Sequence, residues 1–217
     1  MEKLIKKIKI ETTITLITGL HIGGNKDNVE IGGIDLPVIK LALKKNQPYI
    51  PGSSLKGKMR CLLEQAEGAP EVGKNLSVNK LFGINKEKDP EGKNRPSKLI
   101  VRDSMLTKDS EVALEKCDSL DMPFTESKWE NTIKRVEGVA EHPRQTERVP
   151  AGAVFNAEFI INIWDDDNEQ ELLALFKKGI RLLENDYLGG SGSRGYGQIK
   201  FGELVPTELS EENNWTV

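Results

Sequence analysis

Between residues 4 and 17, Ile8, Ile10, Thr12, Ile14 and Leu16 alternate with Lys7, Lys9, Glu11 and Thr13. A period of two sustained over this length is that of a strand with one face buried and the other wet. It demands a sheet whose apolar face is covered by helices and whose other face stays free. The alternation also argues against a signal peptide, because the early lysines are followed by no continuous apolar run. No apolar run is long enough to span a bilayer. A cytoplasmic protein with no membrane contact is expected, and the isolated Cys61 and Cys117 have no metal-ligand spacing and are expected to be free thiols.

The remaining elements follow from their own signals. Leu55, Met59, Leu62 and Leu63 share one face of a helix over 53–66, with Ser53 or Ser54 as its expected N-cap. A shorter helix is expected over 76–82, ending at Gly83. Strands are expected over 98–105, 153–164 and 198–205, and an amphipathic helix over 169–185. The stretch 85–97 has the composition of a mobile loop, and 107–150 reads as irregular, with a hairpin or short helix within ENTIKRVEGVAEHPRQTERVP (130–150). The order β-α-β-β-α-β is that of an α+β, ferredoxin-like (RRM-like) antiparallel sheet. With 217 residues, it forms one domain with insertions at about 18–50, 84–97 and 106–150.

Net charge is −3, yet charge is segregated. Lys40, Lys44, Lys45, Lys56, Lys58 and Arg60 fall between Leu36 and Leu63 with no acid among them. In PGSSLKGKMR, cations occupy the first two turns of a helix, against its dipole; free N–H groups and lysines together suit a phosphate. Gly52, Gly57 and Lys58 nearly spell a phosphate-binding loop, but Met59 replaces the metal-ligating hydroxyl residue. Gly190, Gly192 and Gly195 imitate a dinucleotide fingerprint, but the loop follows a helix and precedes a strand, the reverse of what that site needs. Such a loop, with Ser193 and Arg194, lets an RNA backbone approach closely. In TGLHIGG and IGGIDLP, His21 suits acid–base work, base stacking or a structural hydrogen bond. Glycines before Asp35 and Pro37 after it suit a carboxylate on an exposed turn, either functional or merely turn-forming.

Taken together, TGLHIGG, IGGIDLPVIK, YIPGSSLKGKMRCLLE, KLFG, ENTIKRVEGVAEHPRQTERVPAG and ENDYLGGSGSRGYGQI resemble the Csm-type backbone subunits of type III-A CRISPR effector complexes, within the RAMP superfamily. The resemblance runs from the first strand to residue 202 and implies a ferredoxin-like core with an inserted lid and a thumb-like hairpin. It implies copies stacked head to tail along a CRISPR guide RNA, beside other subunits of the complex, and endonucleolytic cutting of complementary target RNA at regular intervals. Asp35 matches the cutting aspartate, His21 an RNA-contacting histidine, and Ser53, Ser54, Lys56 and Arg60 the guide-backbone contacts. Arg135, Arg144 and Arg148 fall in the thumb, and Gly190, Ser193 and Arg194 in an RNA-facing loop. One departure is Glu137, where the family commonly has a threonine.

The cutting chemistry so implied uses a divalent metal, Mg2+ or alternatively Mn2+, held by Asp35. General-base catalysis by Asp35 is the other route. A non-catalytic RNA scaffold and a nucleotide hydrolase built on the near phosphate-binding loop are the competing functions.

Overall fold

The computed structural model describes residues 3–24, 34–44, 46–213 and 215. The loop glycines Gly32 and Gly33 and one cation of the basic run, Lys45, lie outside the described residues. In chain order the elements are β1 (Leu4–Leu16), β2 (Tyr49–Ile50), α1 (Gly52–Ala66), α2 (Leu76–Phe82), β3 (Leu99–Val101), β4 (Ser104–Leu106) and α3 (Lys108–Glu115). There follow β5 (Glu126–Ile133), β6 (Ala140–Arg148), β7 (Val154–Trp164), α4 (Glu169–Glu184), β8 (Ile199–Phe201) and β9 (Val205–Ser210).

The sheet grows from β1 and β7, antiparallel in a register that sets Ile8 opposite Ile161, Ile10 opposite Phe159, Thr12 opposite Ala157 and Ile14 opposite Phe155. Its order is β2-β4-β7-β1-β8, with β3 also on β7 and β9 also on β1, every pair antiparallel. Leu55, Met59 and Leu63 of α1 and Phe176, Ile180 and Leu183 of α4 are buried in one core with these strand residues. Phe176 meets Phe159 edge-on at 5.1 Å. Each such side chain contributes about 1.5–3 kcal/mol by leaving water. The opposite face is polar: Lys7 Nζ donates to Asn162 Oδ1 at 2.8 Å, and Lys9 pairs with Glu11 at 3.1 Å. The α+β class with an antiparallel sheet is thus the observed one.

Several expectations are corrected. The strand expected over 98–105 is two short strands, broken where Asp103 leaves the sheet. Its Oδ1 accepts the Gly52 N–H at 2.8 Å, so the first turn of α1 is capped from a distant segment. Neither Ser53 nor Ser54 is the cap: the helix starts at Gly52, after Pro51, whose position has no side-chain cap. Glycine is required there because a Cβ would collide with the Val101 carbonyl. The last strand also divides, into β8 and β9. Residues 85–97 are pinned rather than loose: buried Asp89 accepts the N–H groups of Glu91 and Lys93 and pairs with Arg95 at 2.8 Å. Within 107–150 lie both α3, capped by Thr107, and a long hairpin, β5–β6, which forms a sheet of its own. No helix of the described residues is long and apolar enough to cross a membrane. Cys61 and Cys117 are exposed and unpaired.

Asp103→Ala should cost about 1 kcal/mol, the usual value of a lost N-cap. Urea unfolding should show a lower midpoint with an unchanged slope.

Candidate nucleic-acid interface

The loop after β1 is fastened to β6 by a buried acid. Glu147 is 1% exposed. Its Oε1 accepts the Thr125 hydroxyl at 2.6 Å and pairs with Lys40 at 2.6 Å, and its Oε2 accepts the Val38 N–H at 2.9 Å. Its backbone takes part as well: the N–H donates to the Leu36 carbonyl at 3.0 Å, and the carbonyl lies 2.7 Å from His21 Nδ1. A carbonyl only accepts, so Nδ1 carries the proton and Nε2 of the neutral ring is left as an acceptor. Two residues earlier on β6, the Gln145 N–H donates to Asp35 Oδ2 at 2.9 Å. Asp35 is exposed. The structure therefore sets Asp35 and His21 along one edge of the same strand.

The glycine loop closes on them. The Gly190 N–H donates to the His21 carbonyl at 2.8 Å. Gly189 approaches that carbonyl so closely, at φ +77°, that a Cβ would collide with it. Beyond a short 3-10 turn at Gly192–Arg194, Tyr196 is buried under the hairpin, with Lys128 Nζ 4.5 Å and the Arg148 guanidinium 5.2 Å from its ring centre. Arg148 Nε also donates to Glu126 at 2.5 Å, and Arg194 pairs with Glu130 at 3.4 Å. Burial first, then the Glu130 carboxylate, pushes the Tyr196 phenol up to about 12. Burial alone would raise Glu130 too, but Tyr196 and Lys128 beside it carry it below the usual carboxylate value. Arg135 is exposed in the hairpin turn, and half-buried Arg144 is on the strand between them. Arg135 and Arg194 line a common cleft with Lys128. The hairpin and the glycine loop together thus present Lys128, Arg135 and Arg194, with Ser193 on the same loop.

The basic run on α1 is balanced in space, which corrects the reading drawn from its lack of neighbouring acids. Lys58 sits 3.7 Å from the Tyr187 ring centre and pairs with Asp186 at 3.2 Å. Arg60 donates to Glu64 at 2.9 Å, Gly83 at 3.0 Å and Asn79 at 3.2 Å, joining α1 to α2. Lys56 donates to Ser97 Oγ and the Leu99 carbonyl, both at 2.7 Å, leaving one proton unplaced. Burial, then the nearby Arg60 charge, lowers its pKa. Exposed Ser53 and half-buried Ser54 face outward from the same turns. Because the segment is helical from Gly52, it forms no phosphate-binding loop. That loop would have to precede its helix, so the nucleotide-hydrolase reading is set aside.

The sequence profile of the RAMP superfamily matches residues 13–200. This chain belongs to the RAMP superfamily. Its RAMP relatives include proteins named CRISPR system Cms endoribonuclease Csm3. That of Methanocaldococcus jannaschii is 41% identical over 231 residues, covering 98% of this chain and 88% of the relative. That of Streptococcus thermophilus is 44% identical, covering 94% and 90%. Among solved structures, a Csm3–Csm4 subcomplex of the type III-A CRISPR-Cas interference complex superposes with a TM-score of 0.61 at 33% identity, over 97% of this chain and 83% of that one. A type III-B Cmr-beta complex bound to cognate target RNA shares the RAMP fold at a TM-score of 0.63 and 15% identity, over 93% of this chain and 61% of that one.

Sequence reasoning did not single out Glu147, Tyr196 or Asp103, and it placed Lys40 in the basic run without its acid partner. Nothing local marked Glu147: β6 reads AEHPRQTER, a polar strand in which only Thr146 and Glu147 are buried. The buried phenol gives a test. A phenol whose folded pKa lies above its unfolded value contributes stability that is present below pH 10 and lost as pH rises toward 12. The loss amounts to about 3 kcal/mol at most. Urea unfolding from pH 9 upward should show this loss in the wild type and a smaller one in Tyr196→Phe.

Proposed function

We propose that this chain is the guide-RNA-binding backbone subunit of a type III-A CRISPR interference complex, and that it cuts the paired target RNA at Asp35. The observation that carries this reading is the exposed Asp35 carboxylate, docked by the Gln145 N–H at 2.9 Å beside the clamped His21 in a chain of the Csm3 kind. Within the antiparallel sheet, the order β8-β1-β7-β3, with α1 and α4 as the two crossovers, supports a ferredoxin-like core, to which the hairpin is the thumb and residues 18–50 the lid. Further copies stack head to tail along the guide in the cytoplasm, beside other subunits of the complex.

RNA carries its own nucleophile, the 2′-OH, so the protein has only to align that oxygen with phosphorus and stabilise the developing charge. Ser53, Ser54, the remaining Lys56 proton and exposed Ser193 hold the guide backbone, while the Gly190, Arg194, Gly195 and Gly197 N–H groups are bonded within the protein and shape the glycine loop. Arg60 adds to the field there while bonded to α2. Arg135, Arg144, Arg148 and Arg194 flank the strand to be cut. The described residues contain no group of three or more His, Cys, Asp or Glu that could hold a metal. Asp35 would hold a divalent ion weakly, through its exposed carboxylate. Such an ion would neutralise charge on the phosphate when bound. Asp35 is a ligand rather than a base here, because its exposed carboxylate is held in place through Oδ2 by the Gln145 N–H and keeps its other oxygen for an ion.

Asp35→Asn is the sharpest variant, since the amide oxygen can still accept the Gln145 N–H while the charge is gone. In a complex reconstituted with guide and labelled target, it should assemble normally and not cut, and EDTA should silence the wild type. Cutting by Asp35→Asn at the same positions would overturn the assignment of Asp35.

A further inference from the structure

Trp129 is a large aromatic residue left 66% exposed on β5. Its ladder partner on β6 is Gln145. The Gln145 N–H points out of the hairpin, to Asp35 Oδ2, and the next outward N–H on that strand, Glu147's, goes to Leu36. Trp129 and Gln145 therefore form a non-hydrogen-bonded pair, the kind whose Cα atoms are about 4.5 Å apart and whose side chains lie closest. Asp35 is thus one strand's width plus one hydrogen bond from the Trp129 backbone, roughly 8 Å, within the span of an indole and a base. The register shift between Glu130 and Thr132 follows at once, and such bulges re-aim neighbouring side chains. The other exposed apolar residues of the hairpin, Ile133, Val136 and Val139, gather at its tip, away from Gln145. On alternation, Trp129 projects from the face opposite Lys128 and Glu130, so cations and aromatic flank the edge that carries Asp35. Proteins that hold single-stranded RNA pair these two devices, cations for the backbone and a flat ring for a base.

We propose that Trp129 stacks on a base of the target strand next to the phosphate cut at Asp35, and so aligns that nucleotide for cleavage. The proposal rests on the reading of Asp35 given above. In the reconstituted complex, Trp129→Ala should cut the target about tenfold more slowly, the effect of losing one base–aromatic stack, while Trp129→Phe should stay close to wild type. A target with an abasic residue beside the cut should slow the wild type by a similar factor and slow Trp129→Ala no further. A merely structural tryptophan would not produce that dependence. In the uncut Asp35→Asn complex, target RNA should quench a tryptophan signal that Asp35→Asn with Trp129→Ala lacks. Wild-type rates for Trp129→Ala, or an equal abasic penalty in both proteins, would overturn the proposal. So would a Trp129→Ala chain that fails to join the complex, since the ring would then be packing between subunits. If the wild type does not cut, the Asp35 reading fails, and the quenching alone decides whether Trp129 stacks on the target.

Discussion

Everything at the site depends on the burial of one carboxylate. Glu147 lies at 1% exposure on β6, and a carboxylate there without partners would cost several kcal/mol. Its partners come from two places: Thr125 at the root of the hairpin, and Val38 and Lys40 from the loop that follows β1. The acid is satisfied only when that loop lies against the hairpin. The same strand then holds Leu36, Asp35 and His21 through backbone groups. Fold stability and site geometry are in this way one set of bonds, and a loop that would otherwise be mobile presents its carboxylate from a fixed edge.

A second brace works from the other side. The glycine loop reaches His21 through the Gly190 N–H and reaches the hairpin through Tyr196, over whose ring Lys128 and Arg148 sit. Segments far apart in the chain converge, and within the hairpin the cations Lys128, Lys134, Arg135, Arg144 and Arg148 are matched by the acids Glu126, Glu130, Glu137, Glu141 and Glu147, to which the glycine loop adds Arg194. The cations of α1 play a different part. Lys58 and Arg60 are held by Asp186 and Glu64, so α1 contributes its exposed serines and a single lysine proton more than a cluster of free charges.

The central strand, the two long helices and α2 were legible because their periodicities repeat over many residues: Ile8 to Leu16 in steps of two, Leu55 to Leu63 in steps of three and four. What was not legible depended on contacts between distant residues. Asp103 breaks a strand because it caps a helix that begins 51 residues earlier, which no local pattern records. α3 carries little apolar periodicity, and only Ser110 in it is buried, so nothing marked it beyond its Thr107 cap. Asp89 turns a stretch with the composition of a loose loop into a bonded one. At the site, Asp35 and His21 stood out only through the resemblance of whole motifs. Glu147 and Trp129, which give those two their setting, are ordinary strand residues until the register is known.

In the proposed function, Asp35, latched to the hairpin, promotes attack by the target's own 2′-OH. The most direct measurement is the fragment pattern of an end-labelled complementary RNA carrying one 2′-deoxy nucleotide at a mapped cut position, in the reconstituted wild-type complex. Cutting should vanish at that position alone and continue at the others, and the remaining products should end in cyclic phosphates. Undiminished cutting at the 2′-deoxy position would show that the nucleophile comes from elsewhere and contradict the account.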